Sequence, residues 1–419
     1  MGKYFSLGEY DKRYKFLWIY LAFKFLYELI FIERFVFDQL QPDLLLIPQS
    51  PFIYYQFYYS TFIIISAILI IIKKYRKMKC CNNNTFIEQL IFNEPGIEEY
   101  AVSNTDYFLF LNICFVVVID LFNTLIYELQ SPMFNFWMLE LLFYGFFHSR
   151  IFKSKIYKHH IISLIFILSF CGLFKIIEVI LYFSPGSLYA LSYENQRWLI
   201  PVSIIAYLLK SIFSTFIYSY EKYYLEKKII SIKAYLLVYG IFGLILSSIC
   251  ATLSSYIPCS NEISQYFCYY EDDEGNYYFD SYNLYFEELS SESFALRIIL
   301  LIIMYILAYI TYYYIYGIYK VLNPIYHFFT FRLNNLIFSL LSLLNLIINL
   351  EGIEGLYLAI IGIDIVVLIF YVLGSMVYLE FIELNFCDLN KYTKRSIKKR
   401  ADDDIEILLT DIRSDTIEE

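Results

Sequence analysis

A lysine, Lys210, stands in the middle of the apolar run IPVSIIAYLLKSIFSTFIYSY. At the centre of a bilayer a charged side chain costs about 3 kcal/mol on insertion scales, so it requires a counter-charge or a ligand. The same demand falls on Lys24, Glu28, Asp120, Asn123, Glu140, Lys175, Glu178, Arg332, Asn334, Asn335 and Asp364, all placed inside apolar stretches. Glu28 follows Lys24 by four residues and Glu178 follows Lys175 by three, spacings that put each pair on one helix face, where it neutralises itself. Lys210 has no acid at helical spacing. Its partner is expected on another helix, at Asp120, Glu140 or Asp364, until an anionic solute displaces that acid; the alternative is a lysine that snorkels or holds a permanent bridge. Arg332 has the fork to grip a phosphate or carboxylate through two parallel bonds, unless it too reaches the interface. Asp364, deep in its run, is the candidate coupling carboxylate, with structural pairing as the alternative.

The elements that position these groups are apolar runs. The chain has 419 residues, 59% of them hydrophobic and 17% charged, and runs of about 20 apolar residues match the bilayer core at a helical rise of about 1.5 Å per residue. Ten candidate spans fall at 15–35, 52–72, 107–128, 133–152, 161–183, 198–219, 234–255, 295–318, 325–348 and 356–379, the fourth being the shortest reading and the one that holds Glu140. The fold class is therefore an all-α polytopic membrane protein. Aromatic residues reach 21%, but an excess of Ile, Tyr, Phe, Asn and Lys is the mark of an AT-rich coding bias, so aromatic stripes receive no weight.

Basic residues set the orientation. Lys3, Lys12, Arg13 and Lys15 lie at the N-terminus, Lys73 to Lys79 after span two, Arg150 to Lys158 after span four, Lys222 to Lys233 after span six, Lys320 after span eight, and Lys391 to Arg400 after span ten. The intervening loops hold a single basic residue, Arg197. Both termini are then cytoplasmic, with residues 1–14 and 380–419 as tails, 15–183 and 198–379 as two five-helix halves, and 184–197 as a lumenal linker. The lumenal loop 256–294 is acidic, with EDDE at 271–274, and reads as a solvated segment; Cys259 and Cys268 within it are a candidate disulfide.

Four histidines, His148, His159, His160 and His327, are too few for a membrane di-iron enzyme. His159 and His160 sit at a lysine-rich cytoplasmic boundary and read as interfacial anchors; no metal site and no cofactor is expected. There is no Walker lysine loop and no G-x-S-x-G elbow. Glu33, Asp38 and Asp43 are the weak acids left for an enzyme at a membrane face. DIEILL at 404–409 fits a dileucine sorting signal or a solvated tail, Cys80 and Cys81 are palmitoylation candidates, and the N-x-T at Asn83 faces the cytoplasm and stays unglycosylated.

An odd number of spans in each half inverts the second half relative to the first, the layout of inverted-repeat transporters. The stretch 221–258 adds a motif: Glu221 and Tyr223 close one helix, Lys227 and Lys228 form a short basic loop, Gly240, Phe242 and Gly243 cluster in the next helix, and Tyr256, Ile257 and Pro258 make its exit. This arrangement resembles the junction in the drug/metabolite transporter superfamily, particularly its solute carrier 35, nucleotide-sugar-transporter-like branch. VYLEFIELNFCDLN at 377–390 resembles the tails of an uncharacterised protist and fungal group associated with the same superfamily. Tyr239 stands where some relatives carry an acid, and the acidic loop is an expansion.

The resemblance implies two inverted five-helix repeats, alternating access, and a central cavity lined by spans one, three, four, six, eight and nine. The expected function is transport of a small organic metabolite, anionic and nucleotide-sugar-like in the sharpest form, across a Golgi, endosomal or lysosomal membrane. Candidate binding residues are Lys210, Lys24, Asp120, Asn123, Glu140, Arg332 and Asn335. The expected partners are a small-molecule solute and the lipid bilayer, with a homodimer allowed and no nucleic acid. A transferase acting on a lipid-linked or acyl substrate and a non-enzymatic membrane scaffold are the alternatives.

Overall fold

The computed structural model describes residues 5–7, 14–40, 51–78, 107–128, 138–153, 156–182, 199–227, 231–256, 258–259, 268, 270–271, 275, 277–290, 294–348, 355–385, 389–393, 396–397 and 400. Cys80, Cys81, Asn83, Asp43, residues 272–274 and the DIEILL segment lie outside the described residues, as do the side chains of Glu28, Glu33, Asp38 and Cys259.

A helix coincides with each predicted apolar run: α1 Lys15–Leu40, α2 Pro51–Met78, α3 Tyr107–Glu128, α4 Met138–Phe152, α5 Lys158–Tyr182, α6 Leu199–Lys227 and α7 Ile232–Tyr256. A short helix, α8 Tyr282–Ser290, precedes α9 Phe294–Val321, α10 Pro324–Ile348 and α11 Gly355–Tyr378. Pro51 and Pro324 open their helices, where the missing N–H has no helical acceptor to lose. Among the described residues, six segments are long and apolar enough to cross a membrane: Phe52–Ile72, Lys158–Leu181, Pro201–Leu225, Ile232–Tyr256, Ile298–Val321 and Leu358–Tyr378. The helix α4 is described over 15 residues, about 22 Å.

The side-chain distribution is that of a protein in lipid. On α7, Ile241, Ile245, Ile249 and Leu253 recur at four-residue spacing and are exposed, while Tyr235, Tyr239, Ser247 and Lys233 on the same helix are buried. On α5, Ile161, Ile165, Ile176 and Ile180 face outward, and Ser163, Lys175 and Glu178 face inward. Water would favour the reverse arrangement, so the apolar faces belong against acyl chains. The chain is a multi-pass helical membrane protein.

The described chain divides into two compact units, and neither is a contiguous half. The larger comprises Lys15–Asn135 and Tyr193–His327. In it α1 packs on α9, α3 on α6 and α7, and α9 on α2 and α6, and the most extensive packing joins α2 to α7. Two glycines allow that approach: a Cβ on Gly240 would lie 3.0 Å from the Tyr59 carbonyl oxygen, and one on Gly243 would enter the Tyr59 ring. A small antiparallel sheet, β2 Pro258–Cys259, β3 Tyr270–Glu271 and β4 Tyr277–Tyr278 in the order β2-β4-β3, lies between α7 and α8 in sequence. Cys268 there is disulfide-bonded. Asp280 departs from the solvated-loop expectation: it is fully buried and accepts the Phe52 N–H at 3.0 Å, capping the start of α2.

The smaller unit comprises Met1–Tyr14, Phe136–Ser192 and Phe328–Glu419. Here α5 packs extensively on α11. A Cβ on Gly374 would run into Ile167, and the Ser163 hydroxyl donates to the Gly374 carbonyl at 2.6 Å. The strand β1 Phe5–Leu7 pairs antiparallel with β5 Ile382–Leu384, Phe5 opposite Leu384 and Leu7 opposite Ile382. Phe381, just before β5, fixes this corner against Tyr14 and Phe329, with ring centroids at 5.1 and 5.5 Å.

Candidate functional site

The polar residues picked out in the sequence fall into two groups, one in each unit. Glu140, Lys175, Glu178, Arg332, Asn335 and Asp364 belong to the smaller unit; Lys24, Asp120, Asn123 and Lys210 belong to the larger.

In the smaller unit, Arg332 of α10 donates through Nη2 to Glu140 Oε2 at 3.0 Å, with both side chains largely buried. Glu140 lies in the first turn of α4, where the helix dipole also favours a negative charge. Lys175 Nζ donates to Glu178 Oε1 at 2.6 Å along α5, the intrahelical pair expected from the three-residue spacing. Asp364 of α11 lies within electrostatic reach of Lys175 and Arg332. Among the described residues two cations thus stand with three carboxylates, and that cluster, fully ionised, carries a surplus negative charge that a proton or a cation would neutralise. Asn335 shares the Arg332 face at a spacing of three residues and is half-buried. Asn334, one position earlier, is fully buried, and neither end of its amide has a hydrogen-bond partner among the described residues. An unmet buried donor and acceptor is costly, and α10 offers it to whatever polar group reaches that face.

The larger unit holds a carboxylate and tyrosine cluster. Tyr239 of α7 donates to Asp120 of α3. Glu221 of α6 accepts from Tyr235 of α7 and Tyr316 of α9, both at 3.0 Å on Oε1. Asp120 and Glu221 lie within electrostatic reach of each other. Asn123 stands one turn from Asp120 and donates to Ser214 of α6 at 3.4 Å; its carbonyl oxygen has no hydrogen-bond partner among the described residues. Lys210 is half-buried, one turn before Ser214, with its ammonium 6.0 Å from the centroid of Tyr207 on its own helix. Lys24 lies 5.1 Å from the ring centroid of Tyr27.

Sequence reasoning missed the tyrosines because composition alone gives a reason to discount them. The signal was their spacing: Tyr235 and Tyr239, and Tyr312 and Tyr316, recur at four residues on one face of α7 and of α9. Tyr239, read as the loss of an acid, instead supplies the donor that an acid on a neighbouring helix needs. His159 also departs from expectation, being 2% exposed rather than interfacial.

No protein-family model matches this chain, and no curated protein matches it.

Proposed function

We propose that the chain is a ten-span solute transporter of the drug/metabolite transporter type, built as two inverted five-helix repeats and moving a small organic metabolite by alternating access, with both termini on the cytoplasmic side of an internal membrane. A relation among the helix packings carries this reading. If each of the first five spans corresponds to the span five later, α1 maps to α6, α2 to α7, α3 to α9, α4 to α10 and α5 to α11. An inverted repeat requires each contact to appear with its image under that exchange. The four most extensive packings form a closed set: α2 with α7 and α5 with α11 map onto themselves, and α1 with α9 maps onto α6 with α3. The packing of α2 on α9 likewise maps onto α7 on α3. Among the described residues the packings of α6 on α9, of α4 on α5 and of α7 on α9 have no image of similar extent. Both self-mapped pairs are close approaches over glycine.

The pairing of β1 with β5 supports the even span count, because two hydrogen-bonded strands lie on one side of a membrane. The buried charges of the smaller unit support transport over a scaffold. Arg332 exchanges Glu140 for the anionic group of a solute, and Asp364 carries the coupling proton. The junction motif at 221–258 supports the superfamily.

The test is solute counterflow into liposomes bearing the purified full-length chain, with nucleotide sugars, phosphorylated metabolites, amino acids and organic cations offered in turn. Saturable uptake of one anionic class, abolished in Arg332→Gln at equal reconstitution, is the expected result. Uptake confined to cations, or a cysteine-accessibility map placing residues 5 and 383 on opposite faces, would sink the reading.

A further inference from the structure

We infer that His159, His160 and Glu380 form a site for one divalent transition metal of the zinc class, clamping the first turn of α5 to the turn that closes α11. The ligand atoms of the three residues lie within 4.8 Å of one another. Tetrahedral ligands at about 2.1 Å from a metal stand about 3.4 Å apart, so side-chain rotations of an ångström or so close the set. Two imidazoles and a carboxylate are the donor set that zinc and its first-row neighbours take, with water in the remaining position.

Three features of the site are poorly explained without a ligand. His159 is 2% exposed, and neither ring nitrogen has a hydrogen-bond partner among the described residues. Its Nε2 lies 3.3 Å from Glu380 Oε1 without the alignment of a hydrogen bond. His160 Nδ1 accepts a long 3.3 Å contact from the Tyr157 N–H, one that a metal can replace, and its ring is stacked on Tyr378 at 4.5 Å.

Glu380 is the third feature. Its N–H bonds to Val377 O at 3.2 Å and the next N–H, that of Phe381, to Met376 O at 2.8 Å, the two bonds of a Schellman cap on α11. The position between them requires a left-handed backbone and usually holds glycine; Glu380 occupies it at φ 61°. A glutamate held in a glycine conformation, with its carboxylate against a buried histidine, points to a role for the carboxylate. Lys158 and the start of α5 are electropositive, so the carboxylate is the ligand that makes a dication acceptable there.

The test uses the full chain purified in detergent without an oligohistidine tag, stripped with EDTA, and titrated with Co2+ followed by visible absorbance and with Zn2+ followed by calorimetry. One equivalent per chain and a higher melting temperature at saturating Zn2+ are expected. His159→Ala and Glu380→Gly should each weaken binding by more than about tenfold. Glu380→Gly also separates ligation from folding, since it removes the ligand while suiting the backbone; its melting temperature in EDTA should match or exceed that of the parent. His148→Ala should bind as the parent does. Binding below one equivalent in the parent chain, or unchanged binding in both Glu380→Gly and His159→Ala, would overturn the site.

Discussion

Replacing Arg332 by methionine removes a guanidinium held 3.0 Å from Glu140, with the two side chains 7% and 12% exposed. At that separation and an effective dielectric of about 20, the pair attraction is roughly 5 kcal/mol. Much of it offsets the cost of taking both ions out of water, so the attraction is not the net worth of the pair. Loss of one partner strands the other, and a stranded buried charge costs about 3–5 kcal/mol. Asp364 feels the same guanidinium, so Arg332→Met leaves one cation, Lys175, facing three carboxylates. At roughly 1–2 °C per kcal/mol for a chain of 419 residues, the single variant should melt about 3–10 °C lower, read by size-exclusion of heated, detergent-solubilised samples. Glu140→Leu combined with Arg332→Met removes both charges and should recover most of the loss, because an apolar replacement of a buried pair is often neutral. Arg332→Met melting with the parent chain would refute the burial of the pair, and a double variant no better than the single would refute their coupling.

Two further outcomes follow from the packing. Gly243→Val and Gly374→Val force a side chain into Tyr59 and Ile167, so each should cost about 1–3 kcal/mol or more in a melting assay, whereas Gly362→Val, with nothing within 4 Å of its Cβ position, should be silent. Peptide mapping without reductant should link Cys268 to Cys259, and reduction should lower stability by about 2–4 kcal/mol; a link from Cys268 to any other cysteine would refute this pairing.

Much of this protein is written in short-range order. Apolar runs separated by basic or acidic loops locate the helices to within a few residues, because a bilayer rewards length and hydropathy, which are properties of a continuous stretch. The Lys175 and Glu178 pair is legible for the same reason: three residues along a helix is a fixed geometry. The sequence also lists which polar groups must be reckoned with, since each charge in an apolar run is conspicuous. It does not say which of them meet. Glu140 and Arg332 are 192 residues apart, and Tyr239 is 119 from Asp120. Either acid has several donors in the chain that would satisfy it equally well. That choice is made by which helices pack, and packing turns on small details such as the glycines that admit Tyr59 and Ile167. The placement of Glu380 beside His159 is further still from local pattern, depending on a left-handed cap at the end of α11 and on the approach of α5 to it. Periodicity fixes what each helix is; only the tertiary contacts decide which charges, hydroxyls and imidazoles share a site.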